Sequence, residues 1–589
     1  MIYTRDRHWQ FLEDELKAEV NEFDLKLNTP ASYLMDRGEV FTAQFLSFSE
    51  SGEMRVRFSA KRAIPRKGEY LYCMTLHKEL RDYRNWGSRT YGDLVKDKTN
   101  FSEVICNWLA PSEDPRFILA GFIGIDVEFA EWISGAPMTV LVMGPNNPPF
   151  DYIAHLQSLI QCQNSRSVSS VMDADYIVDS WKPFLLDGKR DISEFLLTQL
   201  NLNDSIILQG PPGTGKTYHI SKLCAELVKQ GKSVLVTALT NRALIEIAKK
   251  PFLQPYLDER KVYKTKVTID EEKDVPLLAS IKEVNPIKGA LVLSTFFIAS
   301  GVASELAADG PFDYVIVDEA SQALLAMIAA AKRLGKKSLF VGDVKQMPPV
   351  VQIKASKIRE SQYKCFVEGL NSITQAALYP IYQLTETRRL TERGTKFTGV
   401  FYGNSLVSLT EHKSTSGSQL FFLNNGGGPT LLKTDMEIGD LAALSAMDLT
   451  LAVVSSIHKE MKDKEIAVLT CMKETVRGLQ KKLNSNLKKT NLIIDTVARV
   501  QGLTTDICIY VIPNTHYLRS LDPRLFNVAT SRARFHTIII ADKEILGYSR
   551  MNSEVKEYIC KLDEDFSFYL PYKRNEQIPY NSMSSNKHE

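Results

Sequence analysis

Long hydrophobic runs are missing from this 589-residue chain: the apolar stretch from Ala323 to Ala331 stops at Lys332, far short of the roughly 20 residues a membrane-spanning helix requires. Clustered cysteines are missing too. Cys73, Cys106, Cys162, Cys224, Cys365, Cys471, Cys508 and Cys560 stand far apart. That spacing leaves a zinc knuckle or an iron–sulfur clamp without support. An excess of one charge is also lacking, with 72 Lys and Arg against 70 Asp and Glu and a formal net charge of +2. Any polyanion must therefore be held by local basic patches. The opening residues, Met1 to His8, are charged and hold no apolar signal core. Together these absences lead us to expect a reducing, cytoplasmic setting, a soluble chain and no membrane partner. Apolar content of 44% with 24% charged residues excludes wholesale disorder, and the length calls for three or four domains.

Texture divides the chain. Residues 1–37 read as a helical stalk, with Trp9, Phe11, Leu12, Leu16 and Val20 near helical spacing. Residues 38–150 carry short β-like runs such as Val40–Leu46, Met54–Phe58 and Met138–Met143, separated by turns at Gly52 and Gly68, and predict a small β-barrel. Residues 151–190 return to helical texture. From 191 to 375, apolar runs beginning at Ser205, Val234, Leu291, Tyr314 and Ser338 alternate with helical segments. The same alternation resumes over 376–549, with runs at Ile466, Asp506 and Thr537. Both stretches predict parallel sheets covered on both faces, an α/β class. Residues 550–589 read as a tail, polar from Tyr580 onward, and the run Asn424–Pro429 as a surface turn.

Chemistry concentrates in the first α/β stretch. Gly210-Pro211-Pro212-Gly213-Thr214-Gly215-Lys216-Thr217 fits the G-x-x-x-x-G-K-[ST] phosphate loop, placed between a predicted strand and a predicted helix. Glycines let successive amides turn inward on phosphates. Lys216 supplies a charge to the outer phosphates, Thr217 a hydroxyl to Mg2+, and the helix its positive end. Asp318-Glu319 follows another strand. There Asp318 is suited to holding the metal and Glu319 to activating a water, although the pair also reads as a helix cap. Gln346, in Gly342–Pro349, is positioned to sense the terminal phosphate.

Taken in order, Gly210–Thr217, Thr240–Ala243, Ser294-Thr295, Asp318–Ser321, Gly342–Pro349, Leu384–Arg389, Gln501-Gly502 and Asn527–Arg534 form a series that resembles the superfamily 1 helicases. Within these it is similar to the group containing the nonsense-mediated-decay helicase and its DNA-processing relatives. The resemblance spans about 190–545 and implies two RecA-like domains, ATP with Mg2+, single-stranded DNA or RNA as partner, and travel 5′ to 3′. It also implies that Arg389 and Arg532 reach the terminal phosphate across a cleft, and it adds Arg388 and Gly502 to the nucleotide-binding set. Strand-tracking positions fall at Thr240, Asn241, Ser294, Thr295, Thr470, Gln501 and Thr504, hydroxyl and amide groups that suit phosphate contact and equally suit helix capping. Arg55, Arg57, Lys61, Arg62, Arg66 and Lys67 precede Tyr70, Tyr72, Tyr83 and Trp86, a pattern fitting either single-strand stacking or a solvated strand face.

Several positions depart from the family. The base-reading glutamine ahead of the phosphate loop has no clear counterpart, with Ser193 near its place and Gln199 closer to the loop. Arg388 stands where the family favours a base-stacking tyrosine, and Thr504 replaces an acid. Weak discrimination among triphosphates is the expectation. A motor helicase leads; a nucleic-acid clamp driven by the same cycle, or an ATPase unconnected with nucleic acid, are the alternatives.

Overall fold

A computed structural model describes residues 4–136, 138–148, 150–176, 181–188, 191–410, 420–437, 443–486, 492–500, 502–513 and 518–572. Six antiparallel strands close the expected barrel, in the order Phe41–Phe48, Met54–Ser59, Phe117–Ile123, Lys98–Pro111, Tyr70–Leu76 and Val140–Gly144. Phe41, Ala43 and Phe45 alternate inward along the first strand, as a two-residue side-chain period requires.

Helix Arg5–Leu27 starts where the Thr4 hydroxyl accepts from the Arg7 amide. Its Phe11 and Leu12 are wholly buried with Ile153 and Leu156 against the first α/β core. Glu15, also buried, accepts from the amides of Gln352 and Ile353 at 2.7 and 3.0 Å. The far end of this helix meets the barrel domain, where the Tyr91 amide donates to the Thr29 carbonyl.

Nine parallel strands form the first large sheet, ordered Ala279–Ile281, Val262–Thr265, Ala290–Thr295, Ser233–Ala238, Phe312–Val317, Gly335–Gly342, Ser205–Gln209, Ile381–Gln383, Phe184–Leu185. Ile207 faces one apolar layer while Ile206 and Leu208 face the other, which is why the run Ile206-Ile207-Leu208 carries no polar residue. The boundary expected at 375 is corrected: Ile381 pairs with Ile207, so this sheet gains strands from both sides of its sequence range. Burial of Ile381 and Tyr382 beside strand Ser205–Gln209 holds them there.

The second sheet has six parallel strands, ordered Leu492–Thr496, Ile466–Thr470, Thr505–Val511, Ala533–Asp542, Gly428–Thr434, Ser567–Tyr569. Two expectations are revised here. Residues 550–589 are not simply a tail, because helix Ser553–Asp565 buries Val555, Tyr558, Ile559 and Leu562 and Ser567–Tyr569 extends the sheet. Those four side chains recur at helical spacing. Residues 580–589 lie outside the described residues. The Asn424–Pro429 turn ends inside the fold, with Gly428 and Pro429 buried at the start of a strand.

The barrel is fixed to the first large domain where Asp270 accepts from the Gly124 amide and Lys273 donates to the Glu50 carbonyl. It meets the second through Arg499 and Glu69, 3.9 Å apart. Among the described residues no helix is long and apolar enough to cross a membrane.

Candidate active site

A cavity of about 390 Å³ lies between the two sheets. Its floor is the phosphate loop. Lys216 folds back over the loop and donates to the Gly210 carbonyl at 2.5 Å. A Cβ on Gly210 would sit 2.3 Å from the lysine Cγ, so only glycine lets the stem lie there. Gly213 has φ +75°, and a Cβ there would come 2.4 Å from the Arg389 Cβ. Helix Lys216–Lys229 begins at Gly215, also left-handed, and its first amides face the cavity as an anion site. Burial pushes the Lys216 ammonium down from its ordinary value, against the opposing pull of Asp343 and Asp318.

Opposite stand the acids. Asp318 is buried, accepts from the Glu319 amide at 2.9 Å, and has its pKa raised by burial. Asp318 and Thr217 both line the cavity. Such hard oxygen donors suit Mg2+, which takes one or two carboxylates and completes its shell with water and phosphate. Glu319 adopts φ +53°, a left-handed conformation uncommon for a non-glycine residue and often found at functional sites. Burial, reinforced by the Asp318 charge, lifts its pKa to about 7, where a general base works best.

A polar hub missing from the expected set joins these groups. Asp343 is buried and accepts four hydrogen bonds: from Gln209 Nε2 at 2.9 Å, the Lys345 amide at 3.0 Å, Gln346 Nε2 at 2.9 Å and Tyr402 Oη at 2.7 Å. Asp343 belongs to the Gly342–Pro349 stretch, so its position was in view; nothing near Tyr402 in sequence marks it.

The two arginines differ in mounting. Arg532 enters from the second domain, its Nε donating to the Val528 carbonyl at 3.0 Å and Nη1 to the Leu503 carbonyl at 3.2 Å. Its Nη2 is buried without a hydrogen-bond partner, and the residue lines the cavity. Arg389 is held differently. Its neighbours are pinned to the phosphate loop, Thr387 Oγ1 donating to the Pro212 carbonyl and the Arg388 amide to the Gly213 carbonyl, each at 2.9 Å. Its other neighbour faces the second domain, Leu390 packing in that core with its carbonyl accepting from Ser408 Oγ at 2.7 Å, so Arg389 stands at the junction of the two domains and its guanidinium meets the Ser531 carbonyl at 3.4 Å. Burial, with Arg532 and Arg534 nearby, pushes its pKa down to about 9. Two crowded guanidiniums favour a polyanion between them.

Family models, each described as an AAA domain, match residues 197–352 and 360–544. The DNA replication ATP-dependent helicase/nuclease DNA2 of Saccharomyces cerevisiae is 27% identical over 66% of this chain and 29% of its own length. Its Gallus gallus counterpart is 25% identical over 72% and 42%. The DNA-binding protein SMUBP-2 of Rattus norvegicus is 24% identical over 64% and 46%. The chain belongs to the superfamily 1 helicases. It spans less than half the length of each of these three relatives. A solved arterivirus nonstructural protein 10 helicase overlaps 82% of this chain and 80% of its own at 12% identity and TM-score 0.35, too loosely to argue from.

Neither candidate adenine reader is free. Gln199 Oε1 accepts from Tyr382 Oη at 2.7 Å, and Ser193 is buried with its hydroxyl donating to the His219 carbonyl. Arg388 is exposed, whereas Gly502 lines the cavity.

Strand-tracking positions divide. Thr240 caps helix Asn241–Ala248 by accepting from the Ala243 amide, and Asn241 is exposed beside it. Thr295 is half-buried at the start of a helix. Ser294 and Thr470 are corrected: both are wholly enclosed, Ser294 accepting from Thr265 Oγ1 at 3.2 Å. Thr504 is half-buried but precedes strand Thr505–Val511, whose Tyr510 pairs with Leu469. It therefore lies about 20 Å along the sheet from Thr470. Gln501 lies outside the described residues.

The barrel's basic and aromatic residues do not form one stacking surface. Trp86 is core, 2% exposed. Arg62 covers the Tyr83 ring at 3.4 Å and Arg57 the Phe117 ring at 4.5 Å, so those faces already hold cations.

Proposed function

We propose that this chain hydrolyses ATP in the cleft between its two α/β domains and uses the cycle to travel 5′ to 3′ along a single strand. The observation that carries hydrolysis is that Arg532, whose Nη2 has no hydrogen-bond partner, lines the same cavity as Glu319 with its raised carboxyl. In this reading the loop amides and Lys216 hold the β- and γ-phosphates. Glu319 takes the proton of the attacking water as its oxygen bonds to the γ-phosphorus and the β–γ bridge breaks. Arg532 Nη2 then meets the charge developing on the terminal oxygens. Thr217 and Asp318 would hold Mg2+, which neutralises phosphate charge when bound.

Coupling to movement is supported by the cleft's construction, since its two walls belong to different sheets and closure is needed to bring Arg532 to the phosphates. The relatives' names refer to DNA, which favours DNA as the strand. Single-stranded DNA and RNA oligonucleotides tested in parallel should raise ATP turnover by at least about tenfold for the true substrate. A 5′-tailed duplex should then be unwound and a 3′-tailed one left intact. Failure to displace strands from either polarity, despite stimulated turnover, would leave a clamp. Absence of stimulation by both nucleic acids would end the nucleic-acid reading.

Occupied Gln199 and Ser193 support loose base selection. GTP and CTP should give kcat/KM within about tenfold of ATP, since no unpaired polar group would reject them. A preference above a thousandfold would mean that an adenine reader exists elsewhere.

A further inference from the structure

Three buried side chains link the phosphate-facing loop to the helix that precedes Arg532. Asn527 Nδ2 donates to Tyr402 Oη at 2.8 Å and to the Lys345 carbonyl at 2.9 Å. Tyr402 Oη donates to Asp343 Oδ2 at 2.7 Å, and Gln346 Nε2 donates to the same oxygen at 2.9 Å. Tyr402 lies in the turn Gly399–Tyr402 and Asn527 in helix Pro523–Thr530, both packed in the second domain's core. Asp343 and Gln346 belong to the first. Neither Tyr402 nor Asn527 itself lines the cavity; Tyr402 meets it only through Asp343.

We propose that Tyr402 is a positioning residue that registers the closed cleft at Gln346 and thereby sets Arg532. The proposal rests on the hydrolytic reading above. Its physics is a shared acceptor. Separating the domains removes Tyr402 from Asp343 Oδ2 and leaves a buried carboxylate short of one donor, a state disfavoured in a low-dielectric site. It also takes the Lys345 carbonyl from Asn527 Nδ2, four residues ahead of Ser531 and five ahead of Arg532 in sequence. Closure restores all these bonds at once, so Gln346 and Arg532 reach working position together. Burial raises the Tyr402 pKa far above its ordinary value, so the hydroxyl stays protonated and keeps donating across the working pH range.

The test is Tyr402→Phe in the full chain, which keeps the ring and removes the donor, beside wild type and Tyr558→Phe as a buried-tyrosine control. Tyr402→Phe should lower kcat for ATP by about tenfold to a hundredfold with KM changed less than about threefold. The control should keep kcat. Asn527→Ala should lower kcat similarly, and the double variant should lose little more than either single one, as members of one chain do. A Tyr402→Phe kcat within about twofold of wild type, or additive losses in the double variant, overturns the relay. If Tyr402→Phe fails to fold, the kcat of Asn527→Ala alone decides by the same margin. If wild type itself shows no turnover, the hydrolytic reading has failed instead.

Discussion

Replacing Arg532 by alanine should lower kcat by roughly three to five orders of magnitude, the range an arginine finger commands, with a much smaller effect on nucleotide affinity. The expectation follows from how the guanidinium is held. Two of its nitrogens are fixed by carbonyls of the second domain, at 3.0 and 3.2 Å, and the third is left over, buried and unpaired. An unsatisfied donor in such a place is disfavoured in the resting state and is relieved only when an anion arrives. Arg532→Lys should not rescue, because one ammonium cannot hold both carbonyls and still present a donor to phosphate. Arg389→Ala, mounted on the phosphate loop, should instead weaken nucleotide binding along with turnover. Steady-state kinetics with nucleotide titrations separates the two. A loss of less than about tenfold in Arg532→Ala would deny it transition-state work.

Glu319→Gln should retain nucleotide binding while turnover falls by about a hundred to ten thousandfold, as removal of a general base does. The pH dependence gives a second readout. Below about pH 7 the carboxyl of the free enzyme is protonated and unable to accept the water's proton, so kcat/KM should rise with pH through neutrality. In the glutamine variant that acid limb should vanish. Stability carries the opposite sign. A carboxyl raised from 4.5 to about 7 binds its proton more tightly when folded. Its contribution therefore favours the folded state at low pH and is withdrawn as pH rises between those values, by on the order of 3 kcal/mol. Thermal melts of nucleotide-free protein should show that slope in wild type and lose it in the variant. An unchanged pH–rate profile in Glu319→Gln would remove the residue from proton transfer.

What could be seen in the sequence was local. The phosphate loop is eight consecutive residues whose backbone demands and chemistry sit in one turn, so pattern and context sufficed. The strands that flank it were legible because burial on both faces leaves unbroken apolar runs. Contacts made at a distance were not. Tyr402 meets Asp343 across 59 residues and Asn527 meets Tyr402 across 125, and no periodicity marks such pairs. Ser294 carries the residue type of a strand contact, but its exposure was decided by Thr265 on the neighbouring strand. The helix Ser553–Asp565 had its apolar spacing in plain view, diluted by charged residues on the solvent side. The strand Ile381–Gln383, which carries the chain back to the first sheet just before Arg389, is only three residues long, too short to show a period.

Glu15 gives the amino-terminal helix a mechanical meaning. Its carboxylate closes the amides of Gln352 and Ile353, six and seven residues beyond Gln346. Twelve residues further along the same helix, Leu27 packs with the barrel domain. An α-helix advances 1.5 Å per residue, so about 18 Å of stiff rod separates the two ends. One continuous element thus touches both the barrel and the backbone just beyond the loop that carries Gln346, with no part of the second domain between them.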